Sequence, residues 1–379
     1  MPRIAWWMLL LMFAVAAIIV QLDRQAKRSP AYTHYVPAWF PGNAQANRVV
    51  RGLNTGHPEE AMRAARLLLT ARPVPSENMS FVAMAAAQMD DSALASSAIL
   101  EAAGRGWRDV IAQSSMLDAA LKAGEPQIAA QRLDALLRLE QSGEVVDHGL
   151  RRIAETEAGR EALLERLKEG APWIDTLLRR GSVIIAPEAF STLLENGDRK
   201  NIEFPCDALA RTAISLLRVG QAAAAEAVWR PRCEASTGNS ADDVSLSIDE
   251  APTGSPFAWT FPDQTGLFRE QQAGSSEQPL LHWSNSDVLW RALSIRYTVL
   301  PPGRHTMRVL SASGGMDWLV EGKVRLEAIC FYKTAEKPKT ETLPVVDRNH
   351  FVVPPDCAVQ LLSLEVGRGD GTVGRVEIQ

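Results

Sequence analysis

The chain has 379 residues, which at roughly 150 residues per domain sets a prior of two or three domains. Apolar residues make up 46% and charged residues 22%, ordinary globular usage that excludes a fully disordered chain, a collagen-like rod and a polytopic membrane protein. With 40 Lys and Arg against 45 Asp and Glu the net charge is −5, so there is no bulk basic field to hold a nucleic-acid backbone and no nucleic-acid partner is expected.

Residues 4–22 read IAWWMLLLMFAVAAIIVQL, with Gln21 the only polar residue among the 19. At ~1.5 Å per residue such a helix spans about 28 Å, the hydrocarbon thickness of a bilayer. Trp6 and Trp7 lie at one end, where indoles favour the lipid–water boundary, and Asp23 to Arg28 (DRQAKR) stops the segment. The competing reading is a cleaved signal peptide, with Ala14-Val15-Ala16 as a small-x-small site. Cutting there would leave Ile18-Ile19-Val20 on the mature end, so an uncleaved anchor over 1–28 is the preferred reading. Arg3 precedes the helix while Arg24, Lys27 and Arg28 follow it. The loop-charge rule alone would therefore put the long carboxyl-terminal part in the cytoplasm.

Residues 29–235 read as an all-helical domain. Gly56, Asp90 and Gly124 lie 34 residues apart, each opening a turn, and Ala61, Ala95 and Ala129 follow at the same spacing. The segments GHPEEAMRAARLLL, DDSALASSAILEAA and GEPQIAAQRLDALL each read as turn, then amphipathic helix. Gly or Asp tolerates the left-handed dihedrals that end one helix, and Pro58 and Pro126 open the next, where a missing N–H costs nothing. This pattern resembles the tetratricopeptide repeat, without the usual aromatic at the start of the first helix. The alternative is an Ala-rich bundle with accidental spacing. Ile153 to Gly181 continues as short helices broken at Gly170-Ala171-Pro172, and Cys206 to Cys233 gives a further helix–Gly220–helix unit with Ala225 as its small contact residue. Cys206 and Cys233 flank that turn symmetrically, at ends that lie side by side in an antiparallel pair, so they are candidates for a disulfide; two buried thiols are the alternative.

Residues 236–256, rich in Ser, Thr, Asp and Gly, read as a linker. Beyond it, over 257–379, nine short runs rich in β-branched and aromatic residues, from FAWTF to TVGRVEIQ, alternate with turns at Pro301-Pro302-Gly303, Gly314-Gly315 and Gly369-Asp370-Gly371. They predict a sandwich of jelly-roll type. The fold class is thus multi-domain: an amino-terminal transmembrane helix, an all-α tetratricopeptide-like solenoid and a carboxyl-terminal all-β sandwich. Cys330 and Cys357 would pair two strands, and each soluble domain then holds one pair separated by 27 residues. Bridged pairs imply an oxidising compartment, which outweighs the loop-charge rule and puts the soluble part in the periplasm.

FAWTF, VLPPGRHTMRV, the strand ending in Cys330 and FVVPPDCAVQLLSLEV together resemble the carbohydrate-binding-module and galactose-binding-like jelly rolls. With ETEAGREALLERLKEGAPWIDTLL in the helical part, the whole chain is similar to membrane-anchored repeat proteins of Gram-negative bacteria associated with envelope polysaccharide production. The resemblance implies a non-enzymatic scaffold. Residues 4–22 would hold the inner membrane, the helical groove a protein partner, and the sandwich a polysaccharide. The alternative is a periplasmic chaperone or assembly factor for envelope proteins with no glycan binding.

The six histidines show no HxH or HExxH spacing, and there is no CxxC, GxSxG or dinucleotide fingerprint. Carboxylate pairs such as Glu59-Glu60, Asp90-Asp91 and Asp242-Asp243 fall where caps are expected. No catalytic residue, metal or cofactor is therefore expected. An enzyme acting on glycans would need two facing carboxylates, and nothing singles out a pair. Aromatic rings are the binding candidates, because a sugar's C–H face stacks on them. Along the expected strand 288–299, Leu293, Ile295, Tyr297 and Val299 alternate onto one face. If that face is core, Trp290 and Arg296 are presented together on the other, with Trp283 a further candidate. Trp259 and Trp318 read as core.

Overall fold

The computed structural model describes residues 2–139, 143–233, 254–272, 280–311, 317–333 and 339–379. Most of the expected linker, Gly314-Gly315 and Asp242-Asp243 lie outside the described residues. The chain divides into two compact units, Met1–Ala171 and Pro172–Gln379.

The first unit opens with α1 (Pro2–Ala26), long and apolar enough to cross a membrane. Its last turns belong to the fold that follows. The Asp23 carboxylate accepts 2.8 Å hydrogen bonds from Asn43 Nδ2 and from the backbone N–H of Ala44. It therefore caps α2 (Asn43–Asn54) from 20 residues away, in place of the capping side chain that Gly42 lacks. Ala26 is buried with Val36 and Ala44, and Leu22 and Phe40 pack on that cluster. Asn47 Nδ2 donates to the carbonyl of Ala26 at 2.8 Å, satisfying an orphan acceptor at the end of α1.

Antiparallel helix pairs follow: α2 with α3 (Pro58–Ala71), α4 (Ser76–Gln88) with α5 (Ser92–Gly104), and α6 (Val110–Ala123) with α7 (Pro126–Arg138). The turns that join each pair are the three residues 34 apart. Gly56, Asp90 and Gly124 have φ of +71°, +61° and +71°, the left-handed region. Ala61 and Ala129 are fully buried, and a Cβ on Gly52 would meet the backbone N of Ala61 at 3.0 Å. Small residues at these positions let the two helix axes come together. α8 (Glu144–Glu155) and α9 (Glu157–Lys168) complete the unit.

The second unit holds α10 (Ile174–Ile184), α11 (Pro187–Arg199), α12 (Cys206–Leu217) and α13 (Ala222–Cys233), then, among the described residues, ten strands. These are β1 (Leu267–Gln272), β2 (Leu280–Asn285), β3 (Arg291–Thr298), β4 (Gly303–Ser311), β5 (Val324–Tyr332), β6 (Lys339–Leu343), β7 (Val345–Val346), β8 (His350–Val353), β9 (Cys357–Val366) and β10 (Gly369–Ile378). They form two antiparallel sheets, ordered β1-β2-β10-β4-β8-β7 and β3-β9-β5-β6. Trp259, Leu281, Trp283, Met307, Phe351, Leu362, Leu364 and Val366 are among the side chains that fill the space between them. FAWTF is a turn tied on by one bridge, Thr260 to Ile295, and not a strand. Gly369-Asp370-Gly371 opens β10 instead of making a turn.

Both cysteine pairs are disulfides, Cys206–Cys233 across the ends of α12 and α13 and Cys330–Cys357 across β5 and β9. The α12–α13 hairpin also rests on the four-stranded sheet. Arg218 Nε donates to Tyr297 Oη at 2.9 Å. The hairpin turn Gly220, with φ +72°, lies so close that a Cβ there would be 2.7 Å from the backbone of Tyr332 and Lys333.

Gly124 has the same φ as Gly220 but open space around it, which separates strain from contact. Gly124→Ala is expected to cost about 1–2 kcal/mol for the left-handed backbone alone. Gly220→Ala is expected to cost more than about 3 kcal/mol, because the new methyl also forces the hairpin off the sheet. Denaturant unfolding of the two variants followed by circular dichroism measures both, and equal losses would refute the docking.

Candidate functional site

A candidate ligand surface lies at one end of the sandwich, where residues 286–290 carry the chain from β2 in one sheet to β3 in the other. The loop is built on two side chains with local turn chemistry. Buried Asn285 accepts from the N–H of Asp287 at 2.9 Å and donates to the carbonyls of Leu289 and Val366, each at 3.0 Å. Asp287 accepts from the N–H of Leu289 at 3.2 Å and pairs with Arg291. Such Asx turns satisfy the backbone internally, so the loop keeps its shape without a packed interior. The guanidinium of Arg291, then the Leu289 N–H, hold the Asp287 carboxyl below its usual pKa.

This rigid loop displays apolar side chains to solvent: Val288 is 75% exposed, Leu289 58% and Trp290 36%. The indole of Trp290 folds over Gly367, where a Cβ would lie 3.2 Å from Cη2, and the Arg325 guanidinium stands 4.9 Å from the ring centroid. Arg325 pairs with Glu365 across the β5–β9 ladder. Arg325 and Glu365 are on the face of that sheet turned away from the core, since their ladder neighbours Leu326 and Leu364 point inward. The result is a fixed aromatic ledge with an ion pair beside it. An apolar ring flanked by charged hydrogen-bonding groups is chemistry suited to a sugar ring or to a protein's apolar anchor.

The sequence-derived candidates are not brought together. Trp283 is fully buried in the core, flat against Gly371, and presents no ring to a ligand. Arg296 is only 9% exposed and sits opposite Leu362, a core residue, so it does not share a surface with Trp290. A bulge between Ala292 and Ser294 is the physical reason: it shifts the alternation of β3 by one residue. Leu293 points into the core, whereas Tyr297 lies on the opposite side of the sheet with Arg218. Trp259 is core and Trp318 packs against it, as their apolar surroundings implied. The Asn-Ser-Asp turn ahead of Val-Leu-Trp is a sequence signal for Val288 and Leu289, whereas Arg325, Glu365 and Gly367 join them only through the sheet and carry no local signal.

In the helical unit Trp107 lies at the surface with a cation over it. The Arg132 guanidinium stands 4.4 Å over the ring of Trp107, and Arg132 Nη1 donates to Gln113 Oε1 at 3.0 Å. Among the described residues no group of three or more His, Cys, Asp or Glu side chains converges as a metal centre. No protein-family model matches the chain, and no curated protein matches it.

Because the Asp287 pKa is depressed, its support for the loop is complete above the usual carboxylate range and is lost as pH falls through the lowered value. Asp287→Asn should loosen the loop at every pH and abolish this acid transition. Hydrogen-exchange protection of the Leu289 amide, followed from neutral pH down to well below the usual carboxylate range, checks it; identical protection in wild type and variant at neutral pH would refute the role of Asp287.

Proposed function

We propose that the protein is a non-enzymatic scaffold held in the inner membrane of a Gram-negative cell by α1, with its soluble part in the periplasm. The helical stack offers a groove to a protein partner, and the sandwich engages an envelope polysaccharide through the Trp290 ledge, with the chain acting in polysaccharide production or export. The mechanism is tethering, since one chain that holds both partners at a membrane raises their local concentration without chemistry on either.

The observation that carries this reading is the coexistence, in one chain, of an apolar helix that runs unbroken into the fold at Asp23 and of four cysteines all joined in disulfides. A cut after Ala16 would leave the apolar Ile18-Ile19-Val20 ahead of Leu22, Asp23 and Ala26, where the fold begins, which supports the uncleaved anchor. Disulfides persist in oxidising compartments, which supports the periplasm over the cytoplasm.

One observation favours the second reading, a protein-docking assembly factor. Val288 and Leu289 beside Trp290 are aliphatic, and aliphatic side chains suit a protein surface better than a sugar.

Envelope polysaccharide binding by the full-length protein in detergent discriminates the two. The first reading predicts retention that falls about ten-fold in Trp290→Ala, the loss of one stacking contact, with unchanged thermal stability. Absence of polysaccharide retention, with site-specific cross-links from Val288 and Leu289 to an envelope protein, would replace it by the second.

A further inference from the structure

Beside the end of α1 the helical unit encloses a cleft of about 720 Å³. Arg24, Lys27 and Arg28 line it from the anchor side and Arg72 from the end of α3, with no carboxylate in its lining among the described residues; the rest of the lining is amide side chains, Asn43 among them. Asp23 is not in that lining, and its two carboxylate oxygens are engaged by Asn43 and the Ala44 N–H. Arg72 Nη1 donates to Asn43 Oδ1 at 3.2 Å, which fixes the fourth cation over the same opening. The four positive charges are thus gathered by the fold, two elements and 48 residues apart in the chain, and are more than a basic run following a helix.

Their height relative to the apolar run is informative. That run ends at Leu22. At ~1.5 Å per residue Arg24 lies about 3 Å beyond it and Lys27 about 8 Å, and the headgroup layer outside the hydrocarbon core is about 5–8 Å deep. A second feature marks the same level. Phe40 packs on the cluster that includes Leu22, while its neighbour Trp39 is 69% exposed, an indole placed at the border of the apolar segment.

We propose that this cleft binds the phosphodiester headgroup of an anionic glycerophospholipid in the leaflet from which α1 emerges. The proposal rests on the reading of α1 as a membrane span. Arg and Lys supply the charge, their guanidinium and ammonium N–H groups the hydrogen bonds, and the acyl chains lie along α1. The site gives the cations after α1 a role in seating the protein on the membrane, independent of the side to which the chain is translocated.

The test uses the full-length protein in mild detergent. Native mass spectrometry reads bound phosphatidylglycerol against phosphatidylcholine, and carbonate extraction of membranes is run in parallel. Retention of phosphatidylglycerol over phosphatidylcholine is expected. Arg72→Gln, off the anchor helix, should weaken it about five-fold, and the Lys27→Gln, Arg28→Gln double variant about 25-fold, at roughly five-fold per surface cation. Equal retention of both lipids, or an Arg72→Gln variant that binds like wild type, overturns the cleft. Displacement of the lipid by millimolar glycerol 3-phosphate or inorganic phosphate assigns the cleft to a soluble phosphate and also overturns it. Protein that stays in the carbonate pellet without lipid preference refutes the cleft but keeps the anchor, whereas release by carbonate refutes both.

Discussion

The carboxylate of Asp23 stands where an apolar helix has to become part of a water-soluble fold. It leaves the last turns of α1, accepts from Asn43 and Ala44, and closes the amino terminus of α2. Uncapped N–H groups at that terminus would carry an unsatisfied cost of about 1 kcal/mol or more, and a buried carboxylate left unpaired a larger one. Each requirement answers the other, so the direction of the first soluble helix is fixed by the helix before it. Gly42 belongs to the same arrangement, since any side chain at that position would occupy the space of the Asp23 carboxyl.

From there the structure is propagated by small residues and left-handed turns. The turns at Gly56, Asp90 and Gly124 reverse the chain, and buried alanines let each pair close. The same device recurs at Gly220, where the missing side chain admits the backbone of β5 instead of a neighbouring helix. A disulfide fastens the open ends of that hairpin and another fastens β5 to β9. In the chain-entropy account a bridge spanning 27 residues stabilises by about 3–4 kcal/mol, a large share of the stability of an ordinary domain. The hairpin, the sheet beneath it and the Trp290 ledge belong to one compact unit.

Much of this is legible in the sequence because it depends on residues that act locally. A left-handed turn favours Gly, Asn or Asp, and three such residues at equal spacing reveal the hairpins. The Cys206–Cys233 bridge follows from where a hairpin brings its ends. The face of β3 is not legible, because one bulged residue inverts the alternation without altering composition, and so Arg296 is buried where it was expected beside Trp290. Burial of Trp283 is equally silent, since its environment is Gly371, 88 residues away. The pairing of α12 with the sheet depends on Arg218 and Tyr297, 79 residues apart, which no local pattern connects. The ledge itself lies between these cases: its turn chemistry is local, but Arg325 and Gly367 reach it only through the sheet.

The proposed role requires a chain that keeps its apolar helix and carries oxidised cysteines outside the cytoplasm. Intact mass analysis of the protein isolated from native membranes under thiol-blocking conditions reads both at once. The predicted result is a species that retains residues 4–22, carries no thiol label and gains label at Cys206, Cys233, Cys330 and Cys357 after reduction. A chain cut after Ala16, or one labelled at its cysteines before reduction, would contradict it.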